Sequence, residues 1–366
     1  MNKSNRTWLV SLIWSAMLLT GGCSPAAPGI KPTLTGESAP PATATQPGDE
    51  KNITLASLQK VSDFPLYTMH YVGDYGFGEY LRELKSKLSS VESRRPPVYD
   101  ANPVRLPGFA CTTFAAGTLQ GERLLGRNFD WYHHPALLLF TDPPDGYASV
   151  SMVDISYLGF SEEVKPDDKA ALAELLKAPY LPFDGMNARG LAVGMMAVDH
   201  SEGGNDPRKA TLDDLEAIRL VLDYAANVEQ AIDLLGQYNI DWGNGPAIHY
   251  LLADAEGNSA VVEFINGERR VFRSPESWQI STNFLFAEVP LARAGEECWR
   301  YKTAETALTR SKGVLSSQEA MGLLQNVSQE GTTATIWSVV YNLSSGQVQV
   351  AMGRDYGKVY SFELKR

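Results

Sequence analysis

Cys111 opens a short β-type run, Cys111 to Ala116, and Arg127 and Asp130 lie on the run that returns from Leu124. The turn Gln120-Gly121-Glu122 separates the two runs, so the spacing predicts a hairpin that gathers a thiol, a guanidinium and a carboxylate. A guanidinium beside a thiol lowers its pKa and raises the fraction of thiolate, the nucleophilic form. Replacing Arg127 is therefore expected to stop turnover and to spare the fold. A carboxylate at Asp130 can hold a protonated amine. Such an amine exists if the chain is cut between Ala110 and Cys111. A free α-amino group titrates near about 8, which lets it serve as general base for its own side chain. Against this stands the commonest role of a Cys at a strand start, a small core residue, and Arg127 in a salt bridge with Asp130.

The pattern resembles the choloylglycine hydrolase and penicillin V acylase family. It is also similar to their relatives, the acid amidases that cleave N-acylethanolamines and the autoproteolytic acyltransferases of penicillin biosynthesis. Four segments carry the resemblance in order across about residues 110 to 366. They are Cys111 with Gly126-Arg127-Asn128-Phe129-Asp130, Asp184-Gly185-Met186-Asn187-Ala188-Arg189-Gly190-Leu191, Ser281-Thr282-Asn283, and Trp299-Arg300-Tyr301. The resemblance implies an α+β fold, a four-layer αββα N-terminal-nucleophile sandwich with antiparallel sheets. It implies catalytic roles for Cys111, Arg127, Asp130, Asn283 and Arg300. Where the family places an Asn or a Tyr for the oxyanion hole, an ungapped reading from Gly190-Leu191 puts Ala197. Only its backbone N–H can serve, together with Asn283. That departure weakens bile salts and penicillin V as substrates. The function implied is hydrolysis of a linear N-acyl C–N bond through a thioester. The alternatives are acyl transfer to an amine, or an inert lipid-anchored binding protein on the same fold. No cofactor is implied. Phe129 and Trp131 favour an apolar acyl group as the substrate's recognised part.

The elements that must position these residues read as strands in runs, then two helices, then strands again, which favours layered α+β packing. Leu212 to Tyr224 and Val228 to Leu235 are the two helices, the first with Thr211 as its N-cap candidate. Upstream, Leu66 to Val72 is a strand. Gly76 to Leu88 is an amphipathic helix with Phe77, Tyr80, Leu81, Leu84 and Leu88 on one stripe. Residues 54–110 are thus a small ordered unit, a propeptide or retained subunit, and 111–366 the catalytic domain.

Composition narrows the class. The 366 residues carry 44% hydrophobic and 20% charged residues, enough for a large core. A net charge of -11 without a basic run argues against nucleic acid. Lys3 and Arg6 precede an apolar stretch, Trp8 to Leu19, of secretory length, so 1–23 is expected to be a signal peptide. The small residues before Cys23 resemble a bacterial lipobox, which makes Cys23 the expected lipid site. Residues 24–53, rich in Pro, Ala and Thr, then form a flexible tether. The enzyme is expected on the outer face of a bacterial membrane. Cys111 and Cys298 remain, as a disulfide or with one reactive thiol. His133-His134 lack a third ligand, so no metal site is expected, and His70, His200 and His249 receive no role.

Overall fold

The computed structural model describes residues 48–88, 110–161, 163–165, 168–243 and 245–365. The signal peptide, Cys23 and the tether up to residue 47 lie outside the described residues. Along the chain the first strands are β1 (Gln59–Ser62), β2 (Leu66–His70), β3 (Ala110–Gly117), β4 (Arg123–Asp130), β5 (Ala136–Thr141), β6 (Ser149–Asp154), β7 (Asp184–Asn187) and β8 (Leu191–Val198). There follow β9 (Thr211–Asp213), β10 (Asn239–Asp241), β11 (Ala247–Asp254), β12 (Ser259–Ile265), β13 (Glu268–Phe272) and β14 (Gln279–Ser281). The last are β15 (Thr335–Asn342), β16 (Gln347–Met352) and β17 (Val359–Glu363). The helices are α1 (Gly48–Ala56), α2 (Phe77–Leu88), α3 (Lys169–Glu174), α4 (Asp214–Tyr224), α5 (Val228–Leu235), α6 (Ala294–Glu297), α7 (Trp299–Ser311) and α8 (Ser317–Asn326).

Two sheets take nearly all the strands. The larger runs β1-β2-β5-β6-β7-β8-β11-β12-β13 and the smaller β14-β3-β4-β15-β16-β17. They face each other through β3, β8 and β11. Helices α4 and α5 cover the outer face of the larger sheet, while α7 and α8 cover the smaller. This is the four-layer αββα sandwich with antiparallel sheets. The layering explains the sequence texture: β8 and β15, covered on both faces, are buried at every residue and carry no alternation. Helix α4 starts later than the hydrophobic pattern suggested, because Thr211 to Asp213 forms β9. Its cap is Asp213 and not Thr211. The Asp213 carboxylate accepts the Glu216 N–H at 2.7 Å and Glu216 accepts the Asp213 N–H at 3.0 Å, a reciprocal capping box.

The segment upstream of Cys111 differs from the sequence expectation at its start, where α1 (Gly48–Ala56) lies partly inside the span assigned to the tether. The rest of the segment packs against the catalytic domain. Strand β2 pairs in parallel with β5, from Leu66 beside Ala136 to His70 beside Phe140, and Leu66 and Met69 are wholly buried. The Tyr75 hydroxyl donates to both carboxylate oxygens of Asp223 at 2.8 Å, and the Tyr180 hydroxyl donates to the Tyr75 carbonyl at 2.8 Å. Phe77 and Leu81 of α2 are buried, with Phe77 edge-on to Tyr180 at 5.6 Å. The apolar stripe read from the sequence is the face that docks. Among the described residues no helix is long and apolar enough to cross a membrane.

Candidate active site

Strands β3 and β4 form the hairpin predicted from the spacing, with Ala110 opposite Asp130 and Cys111 opposite Phe129. The turn between them needs a left-handed residue, and Gly121 supplies it at φ 82°. Cys111 is buried and its thiol is free.

The main chain of Cys111 is held at both ends. Its N–H donates to Asn283 Oδ1 at 2.7 Å, and its carbonyl accepts from Arg300 Nη1. The same Arg300 nitrogen donates to Thr112 Oγ1 at 2.9 Å, and Nη2 donates to Asn283 Oδ1 at 2.9 Å. Arg300 sits in the first turn of α7, fully buried, and Asn283 follows β14 directly. Asn283 Nδ2 donates to the Ala197 carbonyl at 2.7 Å. That carbonyl is reachable because β7 pairs with β8 only as far as Gly194, so the rest of the β8 edge has no strand on that side. A strand residue turns its N–H and its C=O to the same side. The Ala197 N–H therefore lies on the open edge, next to the second hydrogen of the Asn283 amide.

Arg127 and Asp130 do not pair with each other. Arg127 Nε meets Asp184 Oδ2 at 2.8 Å, with both side chains wholly buried, and Arg127 Nη1 donates to the Met195 carbonyl. The Tyr341 hydroxyl donates to Asp184 Oδ1 at 2.6 Å and Trp337 Nε1 to Oδ2 at 3.1 Å. Gly194 makes room, since a Cβ there would stand 3.2 Å from Arg127 Cδ. The sequence showed Asp184 only as part of a motif; its partnership with Arg127 was missed. Asp130 accepts from the Thr335 hydroxyl at 2.5 Å through Oδ1, while among the described residues its Oδ2 accepts no hydrogen bond. Burial pushes the Asp130 carboxyl up to about 7, against the opposing pull of Arg300 and Arg127.

Burial also raises the Cys111 thiol above its ordinary value. Arg127 and Arg300 pull it down and Asp130 pushes it up, and burial is the largest effect. The pull of Arg127 is the one expected from the sequence, and the larger effect of burial was not foreseen. In the uncut chain the thiol is favoured, so a base must take its proton.

Cys111 lines a pocket that is open to solvent. Its walls include Phe129, Trp131, Tyr157, Phe183, Met195 and Ile248, with Ala197 at the same rim. Phe129 and Trp131, expected to meet substrate, are among them; Tyr157 and Phe183 were not foreseen, since their approach depends on the packing of β6 and β7 ends. Asp214 is the carboxyl in the wall apart from Asp130. Among the described residues no cluster of His, Cys, Asp and Glu could hold a metal ion.

The chain was compared with known proteins. The family model of the acyl-coenzyme A:6-aminopenicillanic acid acyl-transferases matches residues 182–356, a span that holds Asp184, Ala197, Asn283 and Arg300. Penicillin V acylase from Agrobacterium tumefaciens superposes with a TM-score of 0.50 at 19% identity, over 69% of this chain and 86% of that one. A variant of the conjugated bile acid hydrolase from Clostridium perfringens does so with a TM-score of 0.50 at 16% identity, over 69% and 92%. No curated protein matches in sequence. The chain is thus similar to the acyl-transferase family over residues 182–356, and it shares its fold with a penicillin V acylase and a conjugated bile acid hydrolase.

Proposed function

We propose that the chain cuts itself between Ala110 and Cys111 and then hydrolyses a linear N-acyl amide with Cys111 as nucleophile. The match to an acyl-transferase family and the fold shared with a penicillin V acylase support an enzyme that acts on amide bonds by hydrolysis or acyl transfer. One observation carries the finer reading. Cys111 is clamped through its N–H by Asn283 and through its carbonyl by Arg300, its thiol is free, and it lines an apolar pocket.

In the first phase Cys111 Sγ attacks the Ala110 carbonyl carbon, the peptide C–N bond breaks as the thiol proton passes to the departing nitrogen, and a thioester links Ala110 to Sγ. Water cleaves the thioester to the Ala110 carboxylate and leaves Cys111 with a free amine and a free thiol. In the second phase that amine takes the thiol proton, Sγ attacks the substrate carbonyl, and the leaving amine departs with a proton. Water then releases the acid. The Ala197 N–H and the spare Asn283 N–H are the donors for the oxyanion. Asp130 Oδ2 is the acceptor for the new ammonium, and Arg127, held by Asp184, favours the thiolate.

Phe129, Trp131, Tyr157 and Phe183 around the thiol support an apolar acyl group. Transfer to an amine in place of water is the second reading, favoured by the match to an acyl-transferase family. The proposal extends to a lipid on Cys23, a place on the outer face of a membrane, and an upstream segment that stays with the catalytic chain. The test incubates mature protein and its Cys111→Ala variant with a panel of N-acyl amides, with and without added amines. Release of the acid by wild type alone supports hydrolysis, new amides mark transfer, and equal turnover by Cys111→Ala refutes both.

A further inference from the structure

His249 had no role in the sequence, yet it is wholly buried beneath the loop that carries Asn283. It sits on β11 opposite Met196 of β8. Met196 accepts a hydrogen bond from Thr113 Oγ1 at 3.0 Å, so this face of the larger sheet looks at the smaller one. His249 crosses that gap. Its Nε2 lies 2.7 Å from the Thr282 carbonyl and 3.1 Å from Ser281 Oγ, and its Nδ1 lies 3.2 Å from Glu263 Oε1. A carbonyl only accepts, so Nε2 donates to Thr282, while Nδ1 meets the Glu263 carboxyl. Glu263, also wholly buried on β12, accepts the Phe286 N–H through Oε1 at 2.7 Å and the Ala287 N–H through Oε2 at 3.0 Å.

The loop is therefore tied at two points. His249 holds it at Thr282 and Glu263 holds it at Phe286 and Ala287, with Asn283 between. Neither residue lines the cavity or meets Cys111. We propose that His249 and Glu263 form one positioning device that sets the orientation of Asn283, and with it the rates of self-cleavage and turnover. The inference rests on the role given to Asn283 above. A buried polar pair costs desolvation, and a hydrophobic pair in its place would hold the core as well. What the pair adds is direction, because hydrogen bonds to a carbonyl and two amides fix a loop where apolar contacts leave it free to shift. A displacement of about 1 Å at a reacting group costs on the order of 100-fold in rate.

The test compares His249→Leu, His249→Gln, Asn283→Ala and the two double variants in the full chain. Self-cleavage is followed by intact mass, and kcat and KM on an N-acyl 4-nitroanilide. His249→Leu is expected to slow both reactions about 100-fold with KM changed less than about threefold. His249→Gln keeps a donor for Thr282 and is expected within about tenfold of wild type. In the Asn283→Ala background neither His249 substitution should lower kcat further, because groups acting through one another are not additive. A general loss of packing would multiply instead, and would overturn the proposal, as would a wild-type rate in His249→Leu. If His249→Leu does not fold, His249→Gln against Asn283→Ala decides by the same rule. The two readings fail differently. Wild-type processing in Cys111→Ala sinks the function, whereas an inert Cys111→Ala beside an unimpaired His249→Leu sinks only the positioning role.

Discussion

The Arg127–Asp184 pair gives the sharpest prediction. Replacing Arg127 by Met leaves a carboxylate with no exposure and no cation, at a site where the guanidinium stood 2.8 Å away. Breaking a buried pair on one side costs about 3–5 kcal/mol. Tyr341 and Trp337 still donate to Asp184, and burial already raises its pKa, so it can take up a proton. The lower end, about 3 kcal/mol, is expected, so the fold is not spared as the sequence alone suggested, because Arg127 is the buried partner of Asp184. For a domain of this size that shifts Tm by roughly 6–12 °C. Melting is read by circular dichroism in the Cys111→Ala chain, so that cutting does not intervene. The double variant Arg127→Met with Asp184→Leu removes both charges and should regain most of the loss. Activity should not follow. With Cys111 intact, single and double variants should both turn over at least about 100-fold slower, because the thiolate has lost its strongest favourable neighbour. An Arg127→Met melt within about 1 kcal/mol of the parent would refute the pairing argument. A double variant that regains turnover would refute the electrostatic role.

Other outcomes follow from the same geometry. Wild-type protein should give two pieces, the larger beginning at Cys111, and Cys111→Ala one; a larger piece that still carries Ala110 ends the maturation scheme. Asp130, raised to about 7 in the fold against about 3.9 in an unfolded chain, binds a proton there that the unfolded chain has lost. Its contribution is therefore fully present at low pH and lost as pH rises through about 7. In the Cys111→Ala chain, Asp130→Asn should shrink the fall in Tm between pH 5 and pH 8, and an unchanged fall contradicts the assignment. Phe183→Trp should narrow the cavity and move preference toward shorter acyl groups, measured as kcat/KM along a chain-length series; an unmoved optimum removes Phe183 from the acyl site. After cutting, the upstream piece should elute with the catalytic chain in non-denaturing gel filtration, and separation of the two would show that β2 does not stay.

How much of this could be read beforehand depended on the range of each contact. The Cys111 hairpin was legible because a turn and two short β-type runs are local, and the strand limits differ only by a residue from those expected. Asn283 and Arg300 were legible through motif resemblance, not through any local pattern. Arg300 illustrates the limit: a charge opening a helix reads as solvent-facing, yet it is wholly buried because α7 lies on the sheet that carries Cys111. Asp184 as the partner of Arg127, and His249 under Asn283, arise where the two sheets face each other, and no periodicity encodes which residues meet there. Likewise β2 was recognised as a strand, but a parallel pairing to β5 carries no mark in either segment.

If the chain is cut as proposed, that pairing gives maturation a direction in time. Before the cut, β2 reaches its slot as part of the same chain, at the effective concentration of a tethered segment, on the order of millimolar. After the cut, a denatured enzyme would have to find the same slot from dilute solution, with α2 and its apolar stripe exposed meanwhile. The backbone that closes the sheet is thus a folding aid that the enzyme destroys by becoming active. The mature protein would then persist through slow unfolding, not through the ability to refold.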